Sequence, residues 1–253
     1  MEWQAPGVVL DIRPYGDTDV IATVFTEEHG AHRGLARGAQ ARSRTAIWQK
    51  GNLVEVRWVG RLSDQLGSFS AELVHATAAP VMDDPLLLAI LSSCCAVAEG
   101  ALVEREAQPV VFDALVRLLA RLPLGEIVLG EAVRWELSLL AGLGYGLDLS
   151  SCAVTGTADT LIGVSPRTGR AVSEAAAGIW RDRLLPLPGF LLTDSPGDAP
   201  QWVDGLRLTA HFLARDAFGH HHRPLPQPRL ALYDRALALL ADDAKRDSVD
   251  RTL

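Results

Sequence analysis

Apolar and polar residues alternate in short runs over the first eighty residues of the chain. The clearest run, "NLVEVRWVG" at 52–60, places Val54, Val56 and Trp58 on one face and Leu53, Glu55, Arg57 and Val59 on the other. Alternation with a period of two predicts a β-strand with one buried face. Four further runs, bounded by turn residues, predict strands at 7–12, 20–26, 31–37 and 66–76. Five short strands are typical of a small closed barrel of the oligonucleotide-binding (OB) type, and a small β-sandwich is the alternative.

Beyond Pro80 the apolar residues recur at helical spacing. Helices are predicted at 83–103, 108–123, 124–146, 202–218 and 226–243. Asp83 or Asp84 is the expected N-cap of the first, because Pro85 suits the first helical position. Residues 148–198, hereafter the insert, are rich in Gly, Ser, Thr and Pro and show no clear periodicity. The sequence therefore predicts an α+β protein, with a barrel domain at 1–80 and a helical domain at 81–253 that carries an irregular insert.

The composition is that of a globular protein, with 48% hydrophobic and 22% charged residues, and it excludes a disordered chain. The longest uncharged apolar stretch ends at Glu99, before it could cross a bilayer, so we expect no membrane span. The first residues lack a basic segment followed by an apolar run, and we expect no signal peptide. The three cysteines, Cys94, Cys95 and Cys152, do not form a plausible disulfide framework. These features predict a protein of the reducing cytoplasm.

The net charge of −7 argues against indiscriminate binding to nucleic acid, yet basic residues are concentrated in one segment. The arginine segment, "HRGLARGAQARSR" at 32–44, holds four arginines and no acid, and Glu55 is the only acid from Ala31 to Arg61. Because salt screens charges beyond about 8–10 Å, a local patch can still bind phosphate. The candidate nucleic-acid-binding residues are Arg33, Arg37, Arg42, Arg44, Lys50 and Arg57.

Two interpretations of the arginine segment remain open from the residues alone. In the first, Gly34 and Gly38 bring the backbone close to a phosphate chain that the arginines neutralise. In the second, the segment is a solvated turn whose arginines pair with distant acids. Trp48 and Trp58 either stack on bases or lie in the core, and the apolar strand face of Trp58 favours the core for that residue.

Sequence motifs of common enzyme classes are absent. There is no GxxxxGK[ST], GxSxG or HExxH motif, and "GLGYG" at 142–146 follows a predicted helix, which indicates a helix C-cap. The run His220, His221 and His222 raises a metal hypothesis. Adjacent histidines rarely converge on one ion, however, so a solvated turn before Pro224 is favoured. We expect no catalytic residues, no metal and no cofactor.

Two stretches of the sequence resemble the RecO family of bacterial recombination mediators and DNA-repair proteins. The first contains G-x-V-L, an aromatic-plus-acid turn, T-x-x-x-G and a basic-Gly-Ala element, at Gly7–Leu10, Tyr15–Asp19, Thr26–Gly30 and Arg37–Ala39. The second, "WELSLLAGLGYGLDLSSC" at 135–152, is similar to the helix and cysteine-bearing turn of the family's C-terminal domain. Domain order and length agree as well, so the resemblance covers nearly the whole chain.

The sequence departs from this family in the insert. Many members carry two C-x-x-C pairs there, about twenty residues apart, a spacing suited to tetrahedral zinc. Here the first pair is Cys152 and Thr155, and Ser173 and Ala176 stand where the second pair is expected. One thiolate cannot hold a structural zinc ion. We therefore expect a zinc-less insert that is shaped by packing and turn hydrogen bonds.

The resemblance implies a mediator of DNA repair and homologous recombination rather than an enzyme. RecO-like proteins bind single- and double-stranded DNA and anneal complementary strands. With RecR they load RecA onto strands coated with single-strand-binding protein. They also bind the C-terminal tail of that protein, which is acidic and ends in apolar residues. These partners imply a cytoplasmic, nucleoid-associated protein. A receptor for the tail should pair a basic side chain with an apolar groove, and the predicted helices offer Arg117, Arg121, Arg207 and Arg215.

Two other classes of function remain open. One is a plain nucleic-acid-binding barrel with an unrelated helical domain, which failure to bind RecR or the tail would favour. The other is a hydrolase or transferase whose site is assembled from scattered residues, such as His211, Asp216 and the acids near 182–198. A deep, charged pocket in the helical domain would favour that second class.

Overall fold

The computed structural model describes residues 1–42, 44–62 and 66–250, with the backbone alone at 221 and 243–250. The chain forms two compact units, Met1–Pro123 and Leu124–Leu253. In the described part of the chain, no helix is both long enough and apolar enough to span a membrane. The domain boundary expected near residue 80 stays a prediction, since the first compact unit holds the barrel strands together with the two helices that follow them.

The first unit begins with a closed five-stranded β-barrel. Its strands are β1 (Glu2–Tyr15), β2 (Asp19–Thr26), β3 (Gly30–Ala36), β4 (Leu53–Val59) and β5 (Ser68–His75). Around the barrel the order is β1-β2-β3-β5-β4, and β1 closes it by pairing with both β2 and β4. Neighbouring strands are antiparallel except β3 and β5, which are parallel. The OB-type barrel predicted from the alternation is confirmed, and the sandwich is excluded.

Alternate residues of the strands fill the barrel interior. Val54, Val56 and Trp58 of β4 are at most 1% exposed, as the period-two pattern predicts. Gly34 of β3 is also buried, and a Cβ added there would lie 2.6 Å from the ring of Phe69. Only glycine fits against this ring without displacing it. Gly34 therefore serves packing inside the barrel, and the interpretation that it brings backbone close to phosphate is wrong.

Two helices complete the first unit, α1 (Pro85–Ala101) and α2 (Pro109–Arg121). Asp84 is the N-cap of α1, because its carboxylate accepts hydrogen bonds from the amides of Leu86 and Leu87 at 2.9 and 3.1 Å. Pro85 occupies the start of the helix, where its missing N–H costs nothing. Of the two aspartates that the sequence left as alternatives, the structure selects Asp84.

The second unit combines helices with a small sheet. Its helices are α3 (Val128–Gly142), α4 (Glu174–Ala177), α5 (Ala199–Phe212) and α6 (Gln227–Asp250). The insert is more regular than its sequence suggests, because it contains an antiparallel sheet of three strands in the order β7-β6-β8. These strands are β6 (Leu161–Val164), β7 (Ala171–Ser173) and β8 (Leu185–Pro186). Such short strands leave too few residues for a period of two to be recognised in sequence.

A buried ion pair joins the three long helices of the second unit. Arg229 of α6 and Glu136 of α3 are 1% and 2% exposed. The Nη2 of Arg229 donates to a carboxylate oxygen of Glu136 at 3.0 Å and to the carbonyl of Leu206 at 2.7 Å. Thr209 of α5 donates its hydroxyl to the same carboxylate. Because unpaired charges are costly in the interior, this network ties α6 to α3 and α5.

Hydrogen bonds organise the turn around Cys152 in the insert. Cys152 is 1% exposed, and its sulfur accepts hydrogen bonds from the amide and the hydroxyl of Ser173, both at 3.3 Å. Hydrogen bonds from Ser173 and then Thr155 lower the pKa of Cys152 to about 6, against the opposing effect of burial. Among the described residues, no group of three or more His, Cys, Asp and Glu side chains is placed to hold a metal ion.

Candidate nucleic-acid interface

The arginine segment forms much of β3 and the first half of the loop at 37–52 that follows it. The loop turns at Gly38, whose φ of +64° is easily adopted by glycine. The amide of Gly38 donates to the carboxylate of Asp19 at 2.8 Å, and the side chain of Gln40 donates to the Asp19 carbonyl at 2.9 Å. The Gly38 hydrogen bond is the main reason that the pKa of Asp19 lies below its ordinary value. Asp19 therefore fixes the first turn of the loop.

The far end of the loop is anchored in the barrel. Trp48 is 4% exposed and packs in the barrel core, which excludes base stacking by this ring. Asn52 is fully buried, and its side-chain amide donates to the carbonyl of Ala46 at 2.8 Å. The side-chain oxygen of Asn52 accepts from the amide of Ala78 at 3.3 Å. A loop held at both ends loses less conformational entropy when it binds a ligand.

Two of the predicted arginines line one cavity on the first unit. The cavity has a volume of about 350 Å³ and is lined by Arg37, Arg44, Ile47, Trp48, Ser68, Phe69, Ser70 and Ala71. Arg37 and Arg44 are exposed, and Nη1 of Arg44 donates to the Arg37 carbonyl at 3.1 Å. Ser68 and Ser70 of β5 add two hydroxyls to the same lining. Guanidinium and hydroxyl donors around an open cavity suit a phosphate group.

Three of the other predicted residues are paired with carboxylates. The pairs are Arg33–Glu99 at 3.3 Å, Lys50–Asp11 at 2.7 Å and Arg57–Glu2 at 2.7 Å. In contrast, Arg37, Arg42 and Arg44 have no ion-pair partner among the residues that the structure describes. Both interpretations of the basic residues thus hold in part. Carboxylates pair with three of them, and two of these acids are shared with Arg13. Among the described residues no carboxylate lies within ion-pair distance of the three loop arginines, although the charge of Arg37 helps to lower the pKa of Asp19.

The sequence predicts the arginines of this cavity but misses its serines. The sequence feature that could have identified Ser68 and Ser70 is the alternation of polar and apolar residues around Phe69. Phe69 is 6% exposed and belongs to the barrel core. Parallel pairing of β3 with β5 aligns Leu35 with Ser68 and brings these serines beside Arg37. Pairing between strands that are distant in sequence cannot be deduced from a local pattern.

The four arginines predicted for the tail receptor do not lie in one compact unit. Arg117 and Arg121 belong to α2 in the first unit, and Arg207 and Arg215 belong to the second. Arg117 forms an ion pair at 2.7 Å within α2. Arg215 binds both carboxylate oxygens of Asp216, each at 2.7 Å. Arg207 is exposed on α5.

The histidine run lies in a short turn before α6. The ring of His220 stacks on Tyr145 with centroids 5.6 Å apart. His222 has a positive φ of 52° at the end of the 3₁₀ turn Gly219–His221. The side chain of His221 lies outside the described residues, and no role for the run follows from the geometry.

The residues of the enzyme hypothesis bind different partners. Nε2 of His211 lies 3.0 Å from the carbonyl oxygen of Pro166, whereas the carboxylate of Asp216 is bound by Arg215. A cavity of about 460 Å³ in the insert is lined mainly by apolar side chains. It differs from the deep, charged pocket that would have favoured a hydrolase or transferase.

Comparison with known proteins identifies relatives along the whole chain. The family model described as "Recombination protein O N terminal" matches residues 1–77, and "Recombination protein O C terminal" matches residues 82–224. The DNA repair protein RecO of Granulibacter bethesdensis is 59% identical over 242 residues, which cover 94% of this chain and 97% of that protein. The DNA repair protein RecO of Gluconacetobacter diazotrophicus is 55% identical over 94% of this chain and 96% of its own. The DNA repair protein RecO of Acidiphilium cryptum is 54% identical over 96% of this chain and 98% of its own.

Proposed function

Because the chain belongs to the RecO family of DNA repair proteins, we propose that it acts as a recombination mediator. In this proposal it binds single- and double-stranded DNA through the barrel and anneals complementary strands. With RecR, it helps to load RecA onto strands coated with single-strand-binding protein. None of these steps makes or breaks a covalent bond, and none requires a cofactor.

The DNA-binding part of the proposal rests on the cavity that Arg37 and Arg44 share with Ser68 and Ser70. Every nucleotide presents the same phosphate oxygens, so donors of this kind bind DNA without reading its sequence. The chain as a whole carries a net charge of −7. Its field therefore disfavours DNA elsewhere and confines binding to the basic patch. Annealing needs such sequence-independent binding, because two strands must be brought together whatever their bases.

Replacement of Arg37, Arg42 and Arg44 together by alanine should weaken binding to DNA of every sequence. Each lost phosphate contact should reduce the slope of log affinity against log salt by about 0.7 on single strands and about 0.9 on duplex. For three contacts the expected reduction is about 2 on single strands, measured by fluorescence anisotropy across a salt titration. The melting temperature should change little, because exposed arginines contribute at most about 1 kcal/mol.

Arg57→Ala provides the matched control for this triple variant. Arg57 is exposed on the same barrel, but its Nε lies 2.7 Å from Glu2, so it contributes less free charge. We expect its salt slope to stay close to that of the unchanged protein. A triple variant with unchanged affinity and slope would exclude the loop as the DNA-binding element.

The mediator role requires a second capacity, which is to displace single-strand-binding protein from its strand. That protein's tail is acidic and ends in apolar residues, so its receptor needs a cation beside an apolar surface. Arg207 on α5 is exposed, and its positive charge partly offsets the effect of burial, which raises the pKa of Asp204. Arg117 and Arg215 form ion pairs with Asp113 and Asp216. The tail receptor therefore stays a proposal for all four predicted residues.

The full-length protein should accelerate annealing of complementary strands that are coated with the cognate single-strand-binding protein. A peptide that copies the tail should bind the protein, and binding should weaken as salt rises. The rate of annealing is measured from the loss of a fluorescence signal that reports single strands. Strands coated with a single-strand-binding protein that lacks its tail serve as the control. Absence of both peptide binding and accelerated annealing, with DNA binding intact, would reduce the function to that of a plain nucleic-acid-binding barrel.

A further inference from the structure

The insert contains an open apolar cavity that the barrel-based function does not use. Its volume is about 460 Å³, and its walls come from the turn after Cys152, the β6–β7 turn and the segment that follows β7. Val154, Val172 and Leu184 supply apolar surface, and Trp180 lines the same cavity. A nucleobase or a large side chain would fit in a space of this size.

Large apolar side chains at this cavity are exposed to solvent. Trp180 is 54% exposed, and Val154 is 74% exposed. Both residues line the cavity, so they add apolar surface to its open side. Exposed tryptophan beside a concave apolar surface is typical of a binding site rather than of a core. The guanidinium of Arg183 lies over the Trp180 ring, 5.0 Å from its centroid.

The charge around the cavity favours an anionic ligand. Among the residues that the structure describes, its lining contains Arg167 and Arg183 and no acidic residue. Two other arginines of the insert are neutralised, since Arg170 pairs with Asp148 at 3.3 Å and Arg181 with Glu174 at 3.0 Å. Within the described part of the chain, neither of the lining arginines has an ion-pair partner.

We propose that this cavity is a second contact for single-stranded nucleic acid, in which a base stacks on Trp180 and the adjoining phosphates meet Arg167 and Arg183. Any base has a flat face that can stack on an indole ring, so the contact tolerates all sequences. A duplex keeps its bases stacked on one another and cannot offer one without unpairing. The site therefore adds a preference for single strands, which the phosphate contacts of the barrel do not provide.

The test compares two single-stranded ligands that share the same phosphates. Oligothymidylate presents bases, whereas an abasic strand of equal length and charge does not. Trp180→Ala should weaken binding to oligothymidylate about 5- to 160-fold, the range for loss of one base–aromatic stack. The same variant should bind the abasic strand as tightly as the unchanged protein does. Trp180→Phe should retain most of the affinity for oligothymidylate, because a smaller ring still stacks.

Ile179→Ala is the matched control, since Ile179 is 88% exposed beside Trp180 but does not line the cavity. It should leave both affinities unchanged. Equal binding of oligothymidylate by the unchanged protein and Trp180→Ala would overturn the proposal. So would an equal loss on both ligands, because the contribution would then not come from a base. The proposal also fails if Trp180→Ala abolishes binding of an acidic peptide with an apolar carboxyl end while oligothymidylate binding is retained.

This contact and the proposed function of the barrel can fail independently. The triple variant of Arg37, Arg42 and Arg44 should lose affinity for oligothymidylate and for the abasic strand by the same factor. Its ratio of the two affinities should therefore match that of the unchanged protein, whereas Trp180→Ala should bring this ratio close to one. If Trp180→Ala keeps the affinity ratio of the unchanged protein, the second contact is wrong and the barrel site is unaffected. If the triple variant keeps both affinities, the barrel site is wrong and the second contact is unaffected.

Discussion

Replacement of Arg229 by methionine is expected to lower the free energy of unfolding by about 3–5 kcal/mol. Methionine fills much of the space of the arginine stem but carries no charge. Glu136, which is 2% exposed, would then hold its charge in the interior with the hydroxyl of Thr209 as its one remaining hydrogen-bond partner among the described residues. The carbonyl of Leu206 would also lose the hydrogen bond that it accepts from Arg229 at 2.7 Å. An uncompensated buried charge is among the largest penalties that one substitution can produce.

Urea denaturation followed by far-ultraviolet circular dichroism measures this loss. The double variant Arg229→Met and Glu136→Leu removes both charges, so it should recover most of the lost stability, as apolar replacements of buried ion pairs do elsewhere. Arg235→Met is the matched control, because Arg235 is exposed on the same helix and should cost no more than about 0.5 kcal/mol. A cost for Arg229→Met as small as that of Arg235→Met would contradict the role given to the network.

The barrel could be predicted from the sequence because β4 buries one face and the other strands are short runs bounded by turn residues. Its β4 pattern of alternate burial is visible in the residues, and the N-cap of α1 follows from Asp84 and Pro85. The bounds of β1 were predicted only in part, because the apolar run covers 7–12 whereas β1 spans Glu2–Tyr15 and continues through Pro14. Pro14 lies where β1 pairs only with β2, so its missing N–H can face the unpaired edge.

The candidate site was only partly predictable, because its electrostatics depend on residues distant in sequence. The local excess of arginine is visible in the segment itself. Tertiary packing pairs Arg33 with Glu99 of α1. It also places Arg37 and Arg44 around a cavity with serines of β5. Trp180 was missed for a related reason. Exposure distinguishes a binding tryptophan from a core tryptophan, and composition does not report exposure.

His32 of β3 is a buried group that should make stability sensitive to acid. It is 5% exposed, and its ring lies edge-on to Trp3 and Trp58, with centroids 5.2 and 4.8 Å away. Neither ring nitrogen has a hydrogen-bond partner among the described residues. Burial, followed by the positive charges of Arg105 and His29, lowers the pKa of His32 to about 4. The folded protein therefore keeps this imidazole neutral.

In the unfolded chain a histidine binds its proton near pH 6.5, so the unfolded state gains protons before the folded state as the pH falls. The contribution of His32 to stability should be complete above that pH and should decline by about 3 kcal/mol as the pH falls to about 4. His32→Phe retains an aromatic ring without a titratable group, and its free energy of unfolding should therefore fall less steeply over this range. Urea unfolding at a series of pH values gives both slopes, and carboxylates common to the two proteins cancel in their difference. Identical slopes would show that His32 takes up its proton over the same pH range in the folded protein as in the unfolded chain. Nuclear magnetic resonance titration of its ring protons in the unchanged protein would measure that pH range directly.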